Sequence, residues 1–263
     1  ASVGTAVGPR DGRSVEMLIR SADLALYRSK DQGGGSHNAY EPQLHQEAEE
    51  RRVLEIALRK ALENNQFLVH YQPVVSVESG MIEGFEALLR WNHPELGNVS
   101  PARFVPVAED ARLIGPIGEW VLRTACAEAK RWPETVRVAV NVSAEQLTDA
   151  SFVTSVISAL SHSGLTPNRL ELEVTESVFM REGTGAIAVL DQLLALGVRL
   201  ALDDFGTGYS SLGYLSKCKF NTIKIDRQFV QGAAKNIPES VAIVRAVVAM
   251  AGSLNMSTTA EGV

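Results

Sequence analysis

From Gln66 onward, runs with strand character alternate with runs of helical periodicity, and this alternation restricts the chain to few folds. Strands are expected at 67–75, 81–91, 136–143, 169–177, 198–206, 222–229 and 256–262. Helical patterns occupy 101–110, 116–131, 150–163, 184–196, 210–217 and 237–254. Strands separated by helices call for a parallel sheet with helical crossovers, either doubly wound or closed as a barrel. The short link around Ser79-Gly80 makes a hairpin of the first two strands.

Side-chain parity separates the two architectures. Val138, Val140 and Val142 share one strand face, with Ala139 and Asn141 on the other. Leu170, Leu172 and Val174 oppose Glu171 and Glu173, and Ile223 and Ile225 oppose Lys224. Bulky aliphatics suited to packing under helices therefore sit opposite small or ionisable residues. Ionisable side chains are too costly for a dry core, so they should gather at one solvated end and compensate one another. The C-terminal mouth of a (β/α)8 barrel is such a place.

The late-strand residues are Glu86, Asn141, Glu173, Asp203, Asp204, Lys224 and Glu261. This is a hard-oxygen set, rich in carboxylate and suited to Mg2+ or Mn2+ rather than zinc. Its densest part is VRLALDDFGTGY at 198–209, where a half-polar strand ends in two adjacent Asp residues and glycines that let the backbone approach a ligand. Read alone, that stretch also fits an exposed turn, in which Asp and Gly are common. Its recurrence at equivalent strand ends favours a metal site.

Composition excludes several classes. The chain has 263 residues, 45% hydrophobic and 21% charged, with net charge −6. That charge gives no footprint for duplex nucleic acid or an anionic membrane. Cys126 and Cys218 are isolated, without CxxC spacing, and read as buried small hydrophobes in a reducing compartment. The five histidines lack metal-ligand spacing. No signal peptide or run of 18 apolar residues occurs, so a cytoplasmic location is expected, with any membrane anchor lying upstream in a longer parent.

Residues 1–42 form a separate segment. Ala1 to Val7 has strand character, and Ser14 can cap a helix carrying Leu18, Ile19, Ala22, Ala25 and Leu26. ASVGTAVGPRDG followed by LIRSADLALYRSKDQGGGSHNAYEP resembles the C-terminal part of a GGDEF (diguanylate cyclase) domain, an α+β remnant whose signature loop would lie upstream. At 43–66, Leu54, Ala57, Leu58, Ala61 and Leu62 form the stripe of a linker helix.

The remainder, 67–263, carries Glu86-Ala87-Leu88, with YQP at 71–73, NVS at 141–143, ELEVTES at 171–177, DDFGTGYSSL at 203–212, KID at 224–226 and AEGV at 260–263 in order around it. On these motifs it is identified as a member of the EAL-domain cyclic di-GMP phosphodiesterases. The resemblance implies an α/β, TIM-like (β/α)8 barrel with an antiparallel first strand, and metal-dependent hydrolysis of cyclic di-GMP to the linear dinucleotide pGpG. It implies two Mg2+ or Mn2+ ions, with Glu86, Asn141, Glu173 and Asp203 on the first, Asp203 and Asp204 on the second, and Glu261 as a further carboxylate. Ca2+ is expected to inhibit. Lys224 corresponds to the lysine beside the attacking water, Glu176 to the glutamate anchoring the 203–212 loop, and Gln72 and Arg90 to substrate contacts. A homodimer through this domain is compatible with the resemblance.

The family pattern continues past EGV with another β/α unit, so the chain is expected to lack the last unit of its barrel, and activity is expected of the complete parent rather than of the fragment. The alternative is a catalytically silent receptor for the same nucleotide. Such members usually carry substitutions in EAL, DDFGTG or the ligands, and none is present through Glu261.

Overall fold

The computed structural model describes residues 1–31, 33–180, 185–206 and 218–263. The chain divides into two compact units, Ala1–Asn64 and Asn65–Val263.

In the first unit, strand β1 (Val3–Thr5) pairs in parallel with β2 (His37–Ala39) after the intervening helix α1 (Val15–Asp31). Ser14 Oγ accepts from Met17 N at 3.2 Å, the helix start expected from its sequence. Ser29, buried on α1, donates to Val3 O at 2.9 Å and ties helix to strand. Helix α2 (Pro42–Ala61) opens with Pro at its first turn and carries Arg59 and Lys60 in its last, both favourable to a helix. Its stripe of Leu44, Leu54, Leu58 and Ala61 is buried.

The second unit begins with a hairpin, β3 (Phe67–Val75) antiparallel to β4 (Ile82–His93), and β5 (Gly97–Val99) adds antiparallel to β4. Helices α3 (Pro101–Asp110) and α4 (Ile114–Ala129) precede β6 (Arg137–Asn141). Then come α5 (Ala144–Thr148), α6 (Phe152–Ser163), β7 (Leu170–Thr175), α7 (Ser177–Met180), α8 (Ala186–Ala195) and β8 (Arg199–Phe205). The last elements are β9 (Thr222–Ile225), α9 (Arg227–Ala234), α10 (Pro238–Ser253) and β10 (Ser257–Ala260).

The sheet order is β10-β9-β8-β7-β6-β4-β3, parallel from β4 through β10. It is a curled, TIM-barrel-like α/β sheet with an antiparallel first strand. Among the described residues β10 and β3 do not pair with each other. Val138, Val140, Leu170, Leu172, Val174, Leu200, Leu202, Ile223 and Ile225 form the outer strand face and join one buried cluster with the helices. Each such side chain contributes roughly 1.5–3 kcal/mol of burial, and together they hold the opposite, polar face at the barrel interior.

Several expected boundaries shift. The strand expected at 222–229 ends at Ile225, because Asp226 accepts from Gln228 N at 2.8 Å and caps α9. The strand expected at 136–143 ends at Asn141, because Ser143 and Gln146 close a capping box that starts α5. The short elements β2, β5, α5, α7 and α9 were not expected from periodicity. The helix expected at 210–217 lies outside the described residues.

Candidate metal and phosphodiester site

The inward residues advance by two positions in the strand register from Glu86 to Asn141, from Glu173 to Asp203 and from Lys224 to Glu261, following the stagger of the curled sheet. Glu86 pairs with Ala139, Asn141 with Glu173, Thr175 with Asp203, and Lys224 with Thr259. The carboxylates therefore converge near the strands' C-terminal ends, where each chain turns into its following helix.

Lys224 sits at the centre of the convergence. Its Nζ donates to Glu173 Oε2 at 2.7 Å, Asp203 Oδ2 at 3.2 Å and Glu86 Oε2 at 3.3 Å, and lies 2.7 Å from Glu261 Oε1. Asn141 Nδ2 donates to Glu86 Oε1 at 2.7 Å, joining adjacent strand ends. Glu173, Asp203 and Lys224 are buried. Burial opposes the charge on Lys224, but Glu173, Asp203 and Glu86 outweigh it and hold the ammonium far above its ordinary pKa. Desolvation lifts the carboxyls of Glu173, Asp204 and Glu261 above their ordinary values, Glu173 most clearly, with Lys224 opposing the rise.

Asp204 departs from simple alternation. Its backbone is left-handed, φ +52°, at the point where the β8–β9 register shifts between Leu202 and Phe205. The bulge re-aims the side chain from the face it would share with Leu200 and Leu202. Asp203 Oδ1 accepts the Asp204 amide at 2.9 Å and fixes the turn. Gly206 follows at φ +95°, where a Cβ would stand 3.1 Å from Phe229. Asp203, Asp204 and Glu261 can each present a carboxylate oxygen with all three within 4.8 Å of one another. Opposite ligands of a hard divalent cation stand about 4–5 Å apart, so the donor chemistry and spacing fit one.

Glu171, inward like Glu173, does not reach this site. It lies toward the strand's start, where Oε2 accepts from Arg199 Nε and Thr222 Oγ1, both at 3.0 Å. This second polar layer closes the opposite end, and alternation alone did not distinguish it from the first. Thr175, beside Asp203 in the register, was also missed, although it continues the inward parity of Glu171 and Glu173.

Gln72 lies opposite Glu86 on β3, so both project from the same sheet face. Arg90 shares that parity further along β4, and its guanidinium donates to Leu89 O at 2.9 Å. Glu176 is buried at the end of β7, directly before α7. Residues 207–212 of its expected partner loop lie outside the described residues.

A family model described as the EAL domain matches residues 55–263. The chain belongs to the EAL domain family. The EAL domain of this chain is 46% identical to the structure described as PaMucR phosphodiesterase in a c-di-GMP complex, with TM-score 0.76 over 80% of this chain and 87% of that one. Over 267 residues, 100% of this chain, it is 44% identical to the bifunctional diguanylate cyclase/cyclic di-GMP phosphodiesterase MucR of Pseudomonas aeruginosa, of which it covers 39%. It is 39% identical over 265 residues, again 100% of this chain, to the cyclic di-GMP phosphodiesterase PdeR of Escherichia coli, of which it covers 40%. The chain thus spans well under half the length of these curated relatives. Among the described residues, no helix is long and apolar enough to cross a membrane.

Proposed function

We propose that this EAL domain hydrolyses cyclic di-GMP to linear pGpG with the help of divalent cations. The observation that carries the reading is the intact carboxylate ring around Lys224, with Asp203, Asp204 and Glu261 spaced for a cation. The names of MucR and PdeR and the nucleotide complex of the similar structure support the substrate.

Glu86, Asn141, Glu173 and Asp203 would hold one Mg2+ or Mn2+, and Asp203, Asp204 and Glu261 would serve a second. Such ions supply Lewis-acid activation of water and neutralise phosphodiester charge. The chain's own residues do the rest. Lys224 keeps its proton among so many carboxylates, so it acts as a fixed positive charge that orients water and phosphate rather than as a base. Gln72 and Arg90, on the face that carries Glu86, would bind the nucleotide. Water adds to phosphorus, one P–O3′ bond breaks, and the ribose oxygen leaves with a proton. Glu176 would steady the segment that follows Asp203 and Asp204.

We further infer that residues 1–42 are the end of a GGDEF domain, a reading supported by the match of the whole of this chain, residues 1–42 included, to 39% of the bifunctional diguanylate cyclase/cyclic di-GMP phosphodiesterase MucR. The protein would act in the cytoplasm, and a homodimer through the EAL domain is compatible with it.

The test is a turnover assay beside a nucleotide-binding titration, on the full-length protein in Mg2+, Mn2+ and Ca2+. Linear dinucleotide is expected in the first two. Calcium prefers longer bonds and more ligands, so it should support binding with little hydrolysis and should inhibit the magnesium reaction. Saturable binding without product in any cation would instead identify a receptor.

A further inference from the structure

Four carboxylates and one ammonium share the ring, and the ammonium occupies its centre. Lys224 Nζ lies 2.7 Å from Glu173 and from Glu261, 3.2 Å from Asp203 and 3.3 Å from Glu86. An ammonium has three protons, so all of its donors are engaged by carboxylate oxygens. Lys224 is also 4% exposed, so water offers it little alternative solvation. Four carboxylates this close would repel strongly without it, because a buried charge left unpaired is costly. The lysine and a divalent cation therefore need the same oxygens. Each also repels the other, since both are cationic and would be separated by one carboxylate at most.

We propose that Lys224 is a built-in counter-cation that binds the carboxylate ring in competition with the divalent cation. The inference rests on the reading that this ring takes such a cation. Loading the ring with cation draws oxygens away from the ammonium, whose freed N–H groups then face the phosphodiester. Lys224 thus couples metal loading to the positive charge offered to substrate. The opposite arrangement is a lysine strut that merely preorganises the carboxylates, in which case removing it would weaken cation binding. The two arrangements differ in sign.

The experiment is calorimetric titration of Mn2+ into EDTA-stripped full-length protein, for wild type, Lys224→Met, Lys224→Gln and the control Arg199→Met. Arg199 is a cation paired with Glu171 at the other end of the strands, so its loss tests general charge alone. Lys224→Met and Lys224→Gln should bind Mn2+ about tenfold or more tighter than wild type, whereas Arg199→Met should stay near it. In EDTA both Lys224 variants should melt several degrees below wild type, and saturating Mn2+ should remove the gap. A variant unfolded in EDTA is refolded with Mn2+ and its affinity obtained by competition with a chelator. Equal or weaker Mn2+ binding in the Lys224 variants would overturn the competition while leaving the cation reading intact. Absence of Mn2+ binding in every form would strike the cation reading itself, and the proposal with it.

Discussion

Asn141 Nδ2 donates to Glu86 Oε1 at 2.7 Å, while the other oxygen of the same carboxylate lies 3.3 Å from Lys224 Nζ. Glu86 is thereby oriented by one neutral and one charged donor from two other strands. Glu86→Ala removes a carboxylate whose loss leaves neither donor buried in apolar surroundings. Turnover of cyclic di-GMP should fall at least on the order of a hundredfold, the scale of losing one charge-stabilising group. The far-UV circular dichroism should be unchanged. Near-normal magnesium-dependent turnover would remove Glu86 from the site.

Arg169 makes a contrasting prediction, because it is buried far from the carboxylate ring. Its guanidinium donates to Val136 O at 2.8 and 2.9 Å and to Ala129 O at 2.7 Å, tying the end of α4 to the approach of β6. Arg169→Ala takes the guanidinium donors from Val136 O and one of two donors from Ala129 O, which keeps Trp132 N at 3.1 Å, and should cost about 1–3 kcal/mol of stability. Urea denaturation measures this, and activity per folded molecule should be retained.

Gly206→Ala should be destabilising by about 1–2 kcal/mol, since alanine must adopt φ +95° and press Phe229 at 3.1 Å. Gly80→Ala is the comparison, with φ +68° and nothing within 4 Å of its Cβ. Only the first should also depress turnover, because Gly206 follows Asp203 and Asp204. Equal kinetic effects of the two would remove the link between this turn and the site.

Burial pushes the Cys126 thiol from 9.0 up to about 12 and the Cys218 thiol up to about 11. A raised folded pKa means stability that is fully present below about pH 9 and lost as pH rises through 11–12, where the folded thiols are forced to ionise. At pH 8 a thiol-disulfide reagent should label neither cysteine in the native protein and both in guanidinium. Rapid native labelling would contradict their burial.

The sheet was largely legible because its two faces differ so sharply. Val138, Val140, Leu172 and Leu202 against Asn141, Glu173 and Asp203 specify both the strands and their inward side. The boundaries that failed are places where a local hydrogen bond overrules β-propensity. Arg227, Gln228 and Phe229 read as strand, yet Asp226 caps the helix that contains them. The Ser143-to-Gln146 spacing was a capping signal present in the residues, and it starts α5. The left-handed backbone of Asp204 was not legible, because in a non-glycine residue it follows from the bulge and not from the residue's own preference. Nor does spacing reveal that Lys224 meets Glu86 across 138 positions of sequence, since that contact exists only once the sheet curls.

The most direct measurement of the central claim is hydrolysis of cyclic di-GMP in 18O-labelled water with Mg2+, read by mass spectrometry. The account predicts one product, linear pGpG, with a single 18O in its terminal phosphate. Unchanged cyclic nucleotide despite saturable binding, or product without label, would contradict it.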